Sequence, residues 1–281
     1  MTSKDENQTN PSKYNMDHAK RGIALIINIS KYDEPNPFEL EKREWSIKDV
    51  ENLTKTLGYL EFDVKLVENE NLTKSKIEEC LKQIATKIDH KDFDCFLCVV
   101  MSHGNEDNIV TRDNKLISFE EMMAPIKSCP SLFDKPKMFF FQACRGQNKM
   151  ESRASSASST KSFKAAQMND IAHSSSSNSK SITGKKNPAK FENESDLLIY
   201  YSTLPNHLSW SVDKNEGTIF IKSFCDAFND AYKNLPNNLS LAQMITKINE
   251  SVSEKQLQVA VPEFRIKKEI KFLPKDVSKH F

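Results

Sequence analysis

The stretch Gln142-Ala143-Cys144-Arg145-Gly146 places a thiol directly after an apolar run, Met138-Phe139-Phe140-Phe141. That run reads as a buried strand, so the cysteine sits where a strand gives way to a loop, at the mouth of a sheet. A second apolar run, Cys95-Phe96-Leu97-Cys98-Val99-Val100-Met101, ends in Ser102-His103-Gly104. Two strands that each deliver a reactive residue at the C-terminal end can set imidazole and thiol side by side, at the edge where open α/β sheets gather their ligands. Such a pair is sufficient for acyl transfer. The thiolate attacks a carbonyl, and the imidazole takes the thiol proton and later hands one to the leaving amine. A neighbouring imidazolium lowers the thiol pKa and enriches the nucleophile. The oxyanion that forms needs donors. Gly104, lacking a side chain, can bring its backbone N–H close, and Cys144 can supply its own; one such donor is worth ~3–4 kcal/mol. Taken singly, a cysteine after a strand is usually packing and a His-Gly pair is usually a turn. Their joint placement at two strand ends points to a shared site.

The elements that must position this pair follow from the pattern of the chain. Ile23-Ala24-Leu25-Ile26-Ile27-Asn28 reads as a fully buried strand. Asp49 to Leu57 carries Val50, Leu53 and Leu57 at helical spacing, and Phe62 to Val67 alternates like a strand. Thr73 is expected to cap a helix with Ile77, Leu81, Ile84 and Ile88 on one face, and Ser118 to open a short helix through Met122 and Met123. Later come the strand Leu197–Tyr201 and two amphipathic helices, one through Phe220, Phe224, Ala227, Phe228 and Ala231, the other through Leu241, Met244, Ile245, Ile248 and Val252. Alternating strands and helices predict an α/β fold, a mostly parallel central sheet with helices on both faces. The segment from Phe264 to Phe281 is ambiguous, because it alternates like an edge strand yet contains Pro274.

Composition divides the chain further. Residues 1–18 are polar and expected to be disordered. Residues 148–194, rich in Ser, Lys and Asn, read as a disordered linker inside one domain, between a first part at 19–147 and a second at 195–281. A boundary between two independent domains is the weaker alternative, since the second part is short for a core of its own. With 281 residues, 38% hydrophobic, 28% charged and a net charge of +1, nucleic acid and anionic membrane are not expected as main partners. No apolar run approaches the ~20 residues needed to span a bilayer. Met1 to Lys13 lacks a signal-peptide core, and a cytoplasmic location is expected. Cys95 and Cys98 form a CxxC, but residues three apart on a strand face opposite ways. No second CxxC completes a zinc site and the histidines are scattered, so neither metal nor cofactor is expected.

The sequence resembles the caspase family of cysteine endopeptidases from about Arg21 onward. The match is carried by Gln142 to Gly146, by Ser102 to Gly104, by Tyr201-Ser202-Thr203 with Ser209-Trp210, and by Arg43 ten residues before Leu53. The resemblance implies the caspase-like sandwich, with Cys144 as nucleophile, His103 as general base, and Gly104 and Cys144 as oxyanion donors. Arg43 and Gln142 would line the pocket for an aspartate before the cut, since a guanidinium holds a carboxylate bidentately. It also implies a zymogen cut after aspartate into a large and a small subunit, with Asp170 the candidate in the linker and Asp17 the candidate for trimming the N-terminus. The short N-terminal segment resembles that of effector members, with a role in apoptotic signalling. Partners would be protein substrates and a second caspase chain, identical or related.

Three departures from the family pattern stand out. Caspases carry an arginine after the Ser-Trp pair, where this chain has Ser211. Loss of a charged hydrogen-bonding partner worth ~1.5–3 kcal/mol lowers binding about 10- to 100-fold. The loop to Gly217 is about one residue longer than usual, and Ile219 stands where a tryptophan is common. Lys271, Pro274, Lys275, Asp276 and Lys279 make a poor central strand, which counts against pairing across a two-fold axis. The alternative to an active peptidase is a weakly active or inactive caspase-like decoy that pairs with an active relative.

Overall fold

The computed structural model describes residues 12–148, 194–213, 216–233 and 239–275. In chain order the elements are β1 (Lys20–Asn28), α1 (Ser46–Tyr59), β2 (Asp63–Leu66), α2 (Lys74–Lys87), β3 (Phe93–Met101), β4 (Asn108–Val110), β5 (Leu116–Ser118), α3 (Phe119–Lys127), β6 (Lys137–Gln142), β7 (Gly146–Asn148), β8 (Leu197–Tyr201), β9 (Asn206–His207), β10 (Ser211–Asp213), β11 (Gly217–Thr218), α4 (Ile219–Lys233), α5 (Leu241–Glu254) and β12 (Val261–Arg265).

Continuously apolar strands have no polar face to leave in water, so both faces must be covered. The six-stranded sheet, in order β12-β8-β6-β3-β1-β2, obeys this. All neighbours are parallel except β12, which runs antiparallel to β8. Every residue of β3 and β6 is buried. One face packs Ala24, Leu97, Phe140 and Tyr200 against α1, α4 and α5; the other packs Leu25, Val100, Phe141 and Ile199 against α2 and α3. Cys95 lies in the first core and Cys98 in the second, as their spacing requires. Aromatic contacts fasten the first face: the Phe140 and Phe224 rings meet edge-on at 4.8 Å. Gly22 brings β1 against β3 at a φ of +132°, where an added Cβ would lie 1.9 Å from the Cys95 carbonyl oxygen.

Helix starts follow local chemistry. Ser118 opens α3 with a reciprocal capping box to Glu121. Thr73 occupies the corresponding position of α2, but its side chain makes no capping bond. Asp113, from the β4–β5 turn, instead accepts the Lys74 N–H at 2.9 Å, a tertiary contact invisible to local pattern.

One chain-end expectation changes and one ambiguity closes. The polar N-terminal stretch is tied down from Ser12, not from about residue 19. Tyr14 is buried, its N–H bonds to the Glu269 carbonyl, and its hydroxyl donates to Asp196 at 2.6 Å. The ambiguity over 264–281 is resolved: the edge strand is Val261–Arg265, overlapping that segment only at its start, and Pro262 is tolerated because β12 lies at the sheet edge. Residues 266–275, beyond it, bury Ile270 and Phe272 in the first core. Lys275 there joins Arg21 and His18 around the buried Asp94 carboxylate. Pro274 lies outside any strand. Nearly all of the 148–194 linker, Asp170 included, lies outside the described residues.

Candidate active site

Strands β3 and β6 end together. Their last paired rung is Met101 with Gln142, and the Ser102 N–H continues the ladder to the Gln142 carbonyl at 3.2 Å. His103 and Cys144 each stand two positions beyond that rung, on chains spaced ~4.8 Å apart. The His-Gly corner rests on the cysteine turn. A Cβ added to Gly104 would lie 3.2 Å from the Cys144 carbonyl oxygen and 2.5 Å from that of Asn108. Gly104 also faces Ile109 across an antiparallel bridge whose bonds run through Asn105 N–H to Asn108 and Val110 N–H to His103. In that pattern the bridged residue's own N–H and C=O point the other way, so those of Gly104 face away from β4.

The imidazole is held on several sides. Its Nε2 lies 3.0 Å from the Glu41 carbonyl oxygen. A carbonyl can only accept, so Nε2 carries the proton and Nδ1 of the neutral ring is a base. The His103 N–H donates to the Tyr32 hydroxyl oxygen at 3.1 Å, and the two rings lie 5.5 Å apart. Burial, then the Arg43 charge, pushes His103 down to about 4, against a smaller opposing pull from the Glu41 carbonyl. The Cys144 thiol is pushed up by burial, offset in part by the Ser209 N–H and by Arg43. At neutral pH the resting pair is therefore an uncharged thiol and an uncharged imidazole.

Ser209 closes over the nucleophile. Its N–H lies 3.4 Å from Cys144 Sγ, and its carbonyl oxygen accepts from the thiol at 3.8 Å. Gln142 donates from Nε2 to Ser209 Oγ at 2.9 Å and leaves its Oε1 buried without a partner. Arg43 is buried. Its guanidinium donates to the Ile29 carbonyl at 3.0 Å and to Asn28 Oδ1 at 3.4 Å, both neutral oxygens. Burial lowers its pKa, while Asp49 lies close enough to oppose that shift. Asp49, in α1, accepts the Thr218 N–H at 2.8 Å; burial raises it to about 6.

Trp210 packs its ring on the first core, and its backbone is committed to the protein. Its N–H donates to Gln258 Oε1 at 2.6 Å, and its carbonyl accepts the Ile219 N–H at 3.3 Å. Ile219 is buried at the start of α4. Backbone groups alternate along an extended strand, so those of Ser211 turn away from β11. The Ser211 side chain is exposed. Gln258 carried no sequence signal: it is a single glutamine ahead of a strand. Glu41 and Tyr32 were equally silent, because both act from the β1–α1 loop. The structure does not bring Asp17 into this group. It is exposed near the opposite edge of the sheet, its N–H bonded to Asn15 Oδ1.

Comparison with known proteins agrees with this geometry. Residues 21–273 match the family model described as Caspase domain. Caspase-7 of Gallus gallus is 30% identical over 261 residues, covering 92% of this chain and 75% of the relative. Caspase-8 of Mus musculus is 28% identical over 282 residues, covering 96% of this chain and 54% of the relative. The chain thus spans about half the length of that caspase-8. Among solved structures, caspase-1 from Spodoptera frugiperda superposes with a TM-score of 0.73 at 25% identity, covering 94% and 96% of the two chains. The chain belongs to the caspase-domain family of cysteine peptidases.

Proposed function

We propose that this protein is a cysteine endopeptidase that hydrolyses peptide bonds after aspartate. The observation that carries the reading is the His103 Nε2 to Glu41 carbonyl bond, which leaves Nδ1 basic at the strand end beside that of Cys144. Cys144 gives its proton to Nδ1 as its sulfur attacks the substrate carbonyl. The oxyanion accepts from the N–H groups of Gly104 and Cys144. The imidazolium then protonates the departing amine, and water hydrolyses the thioester by the same route.

The preference for an acidic residue is supported by Arg43. Among the described residues, the buried guanidinium's hydrogen bonds go to neutral oxygens, and a substrate carboxylate would supply a directly bonded counter-charge. Gln142 Nε2 would shift from Ser209 Oγ to the same carboxylate. Ser211 offers its backbone to an added substrate strand. The family resemblance supports synthesis as a zymogen, cleavage at Asp170, assembly with a second caspase chain, and an apoptotic role in the cytoplasm. Asp17 is the weaker trimming candidate, because Tyr14 and His18 on either side of it are anchored.

The test is turnover of tetrapeptide reporters ending in Asp, Glu, Ala or Lys by protein nicked in the linker. Turnover after Asp, absent in Cys144→Ala, is expected. Ser211, exposed where the family has its arginine, favours the second reading, a decoy. No turnover of any reporter, together with no capture of Cys144 by an aspartyl aldehyde, would favour that reading instead.

A further inference from the structure

We infer that Gln258 is the positioning residue of the substrate-binding strand, its buried amide fixing Trp210 so that the next residue, Ser211, presents its backbone to an incoming peptide. The side chain is fully buried, in a place where an amide persists only if its hydrogen bonds are made. They are made, and each has a direction. Oε1 accepts the Trp210 N–H at 2.6 Å and lies 3.5 Å from the Ser209 hydroxyl. Nε2 donates to the Ser202 carbonyl at 2.9 Å.

Ser202 is itself bound to the nucleophile's strand. Its N–H goes to the Phe141 carbonyl, and its hydroxyl donates to the Ala143 carbonyl at 3.2 Å, one residue before Cys144. A chain of short bonds thus runs from Ala143 through Ser202 and Gln258 to Trp210. It sets how far the recognition strand stands from the sulfur. The hairpin of β10 and β11 has a register shift between Ser211 and Asp213 and cannot hold that spacing alone. Gln258 touches neither substrate nor reacting atoms, so its effect passes through Trp210.

This inference rests on the peptidase reading for its kinetic consequence but not for its structural one, and the experiment separates the two. Gln258→Ala should lower kcat/KM for an aspartyl reporter ~100-fold, mainly through KM, as expected for a misplaced substrate rather than a lost chemical group. Alkylation of Cys144 by iodoacetamide, which needs no strand, should change less than about twofold in that variant. Gln258→Glu, when protonated, can accept from Trp210 and donate to Ser202, so its activity should recover as pH falls and be lost as the carboxyl ionises. Amide exchange at Trp210, followed by NMR, should quicken more than tenfold in Gln258→Ala while β6 and β8 amides stay protected.

Unchanged kcat/KM with unchanged Trp210 exchange would overturn the proposal. So would equal loss of peptide turnover and iodoacetamide reactivity, which marks a general structural role. Should Gln258→Ala not fold, a Gln258→Glu profile with the wild-type pH dependence overturns it as well. If wild-type protein turns over no peptide, the peptidase reading fails, and Trp210 exchange alone decides whether Gln258 positions the strand.

Discussion

The two halves of the candidate site are built on different foundations. His103 and Cys144 extend from β3 and β6, strands buried along their whole length and locked in register by both cores. Ser209, Trp210 and Ser211 ride on a short hairpin held by single bonds from Gln258, Asp49 and Ile219. Moving the first side means repacking a core at native density, which is expensive. Moving the second means altering a few polar contacts and the packing of the single Trp210 ring on the first core. On the proposed peptidase reading, chemistry is rigidly specified while recognition is free to drift, and Ser211 is the position where that drift is proposed.

If that contrast holds, damage to the rigid side should cost most. His103→Ala removes the proposed base and should lower kcat about 10²- to 10⁴-fold with little change in KM. Gly104→Ala forces a methyl to within 2.5 Å of the Asn108 oxygen, which should displace the proposed oxyanion donor; kcat should fall ~10²- to 10³-fold. A drop confined to KM in either variant would place the weakness on the recognition side instead.

On the soft side, Ser211→Arg should strengthen binding of aspartyl substrates about 10- to 100-fold and sharpen Asp over Glu. KM values for matched Asp and Glu reporters measure this. No gain would mean that other groups have rebuilt the pocket around Arg43.

The smallest effects concern stability and pH, and here the sides carry opposite signs. Asp49 in the native state titrates near 6 instead of 3.8, so above pH 6 the fold bears the full cost of a buried carboxylate. Below that the native state takes up a proton before the unfolded chain does, and the cost fades toward pH 4. Asp49→Asn should thus be more stable than wild type by up to ~3 kcal/mol at pH 7 and equal to it near pH 4. His103 titrates near 4 instead of 6.5, so it destabilises the fold as pH falls through that window. His103→Ala should gain on wild type as pH drops from 6.5 to 4. Urea unfolding of both variants at pH 7, 5.5 and 4 checks the crossing. Parallel curves would show that neither group is buried as described.

The same contrast explains what was legible in the sequence. The central strands could be read because double burial leaves a continuous apolar signature, and the helices because their buried faces repeat every 3.6 residues. Cys144 and His103 stood out as polar residues ending such runs. Gln258, Tyr32 and Glu41 could not be seen, since two act through side chains across the fold and the third through a carbonyl that any residue carries. The ambiguity of the C-terminal segment has a related cause. Val261–Arg265 is short, contains Pro262 and pairs on one side, so its alternation is weaker than that of the irregular, half-buried segment after it. At the N-terminus, Tyr14 and His18 anchor a polar stretch largely through hydrogen bonds, with too little apolar surface to register as order.

The central claim is that Cys144 and His103 act as one proton-transfer pair. Capture of Cys144 by a peptide aldehyde ending in aspartate, timed at pH 7 in wild-type protein and in His103→Ala, tests it most directly. Capture should be rapid in the wild type and at least ~100-fold slower without the imidazole. Equal rates in the two proteins would mean that sulfur and ring work apart.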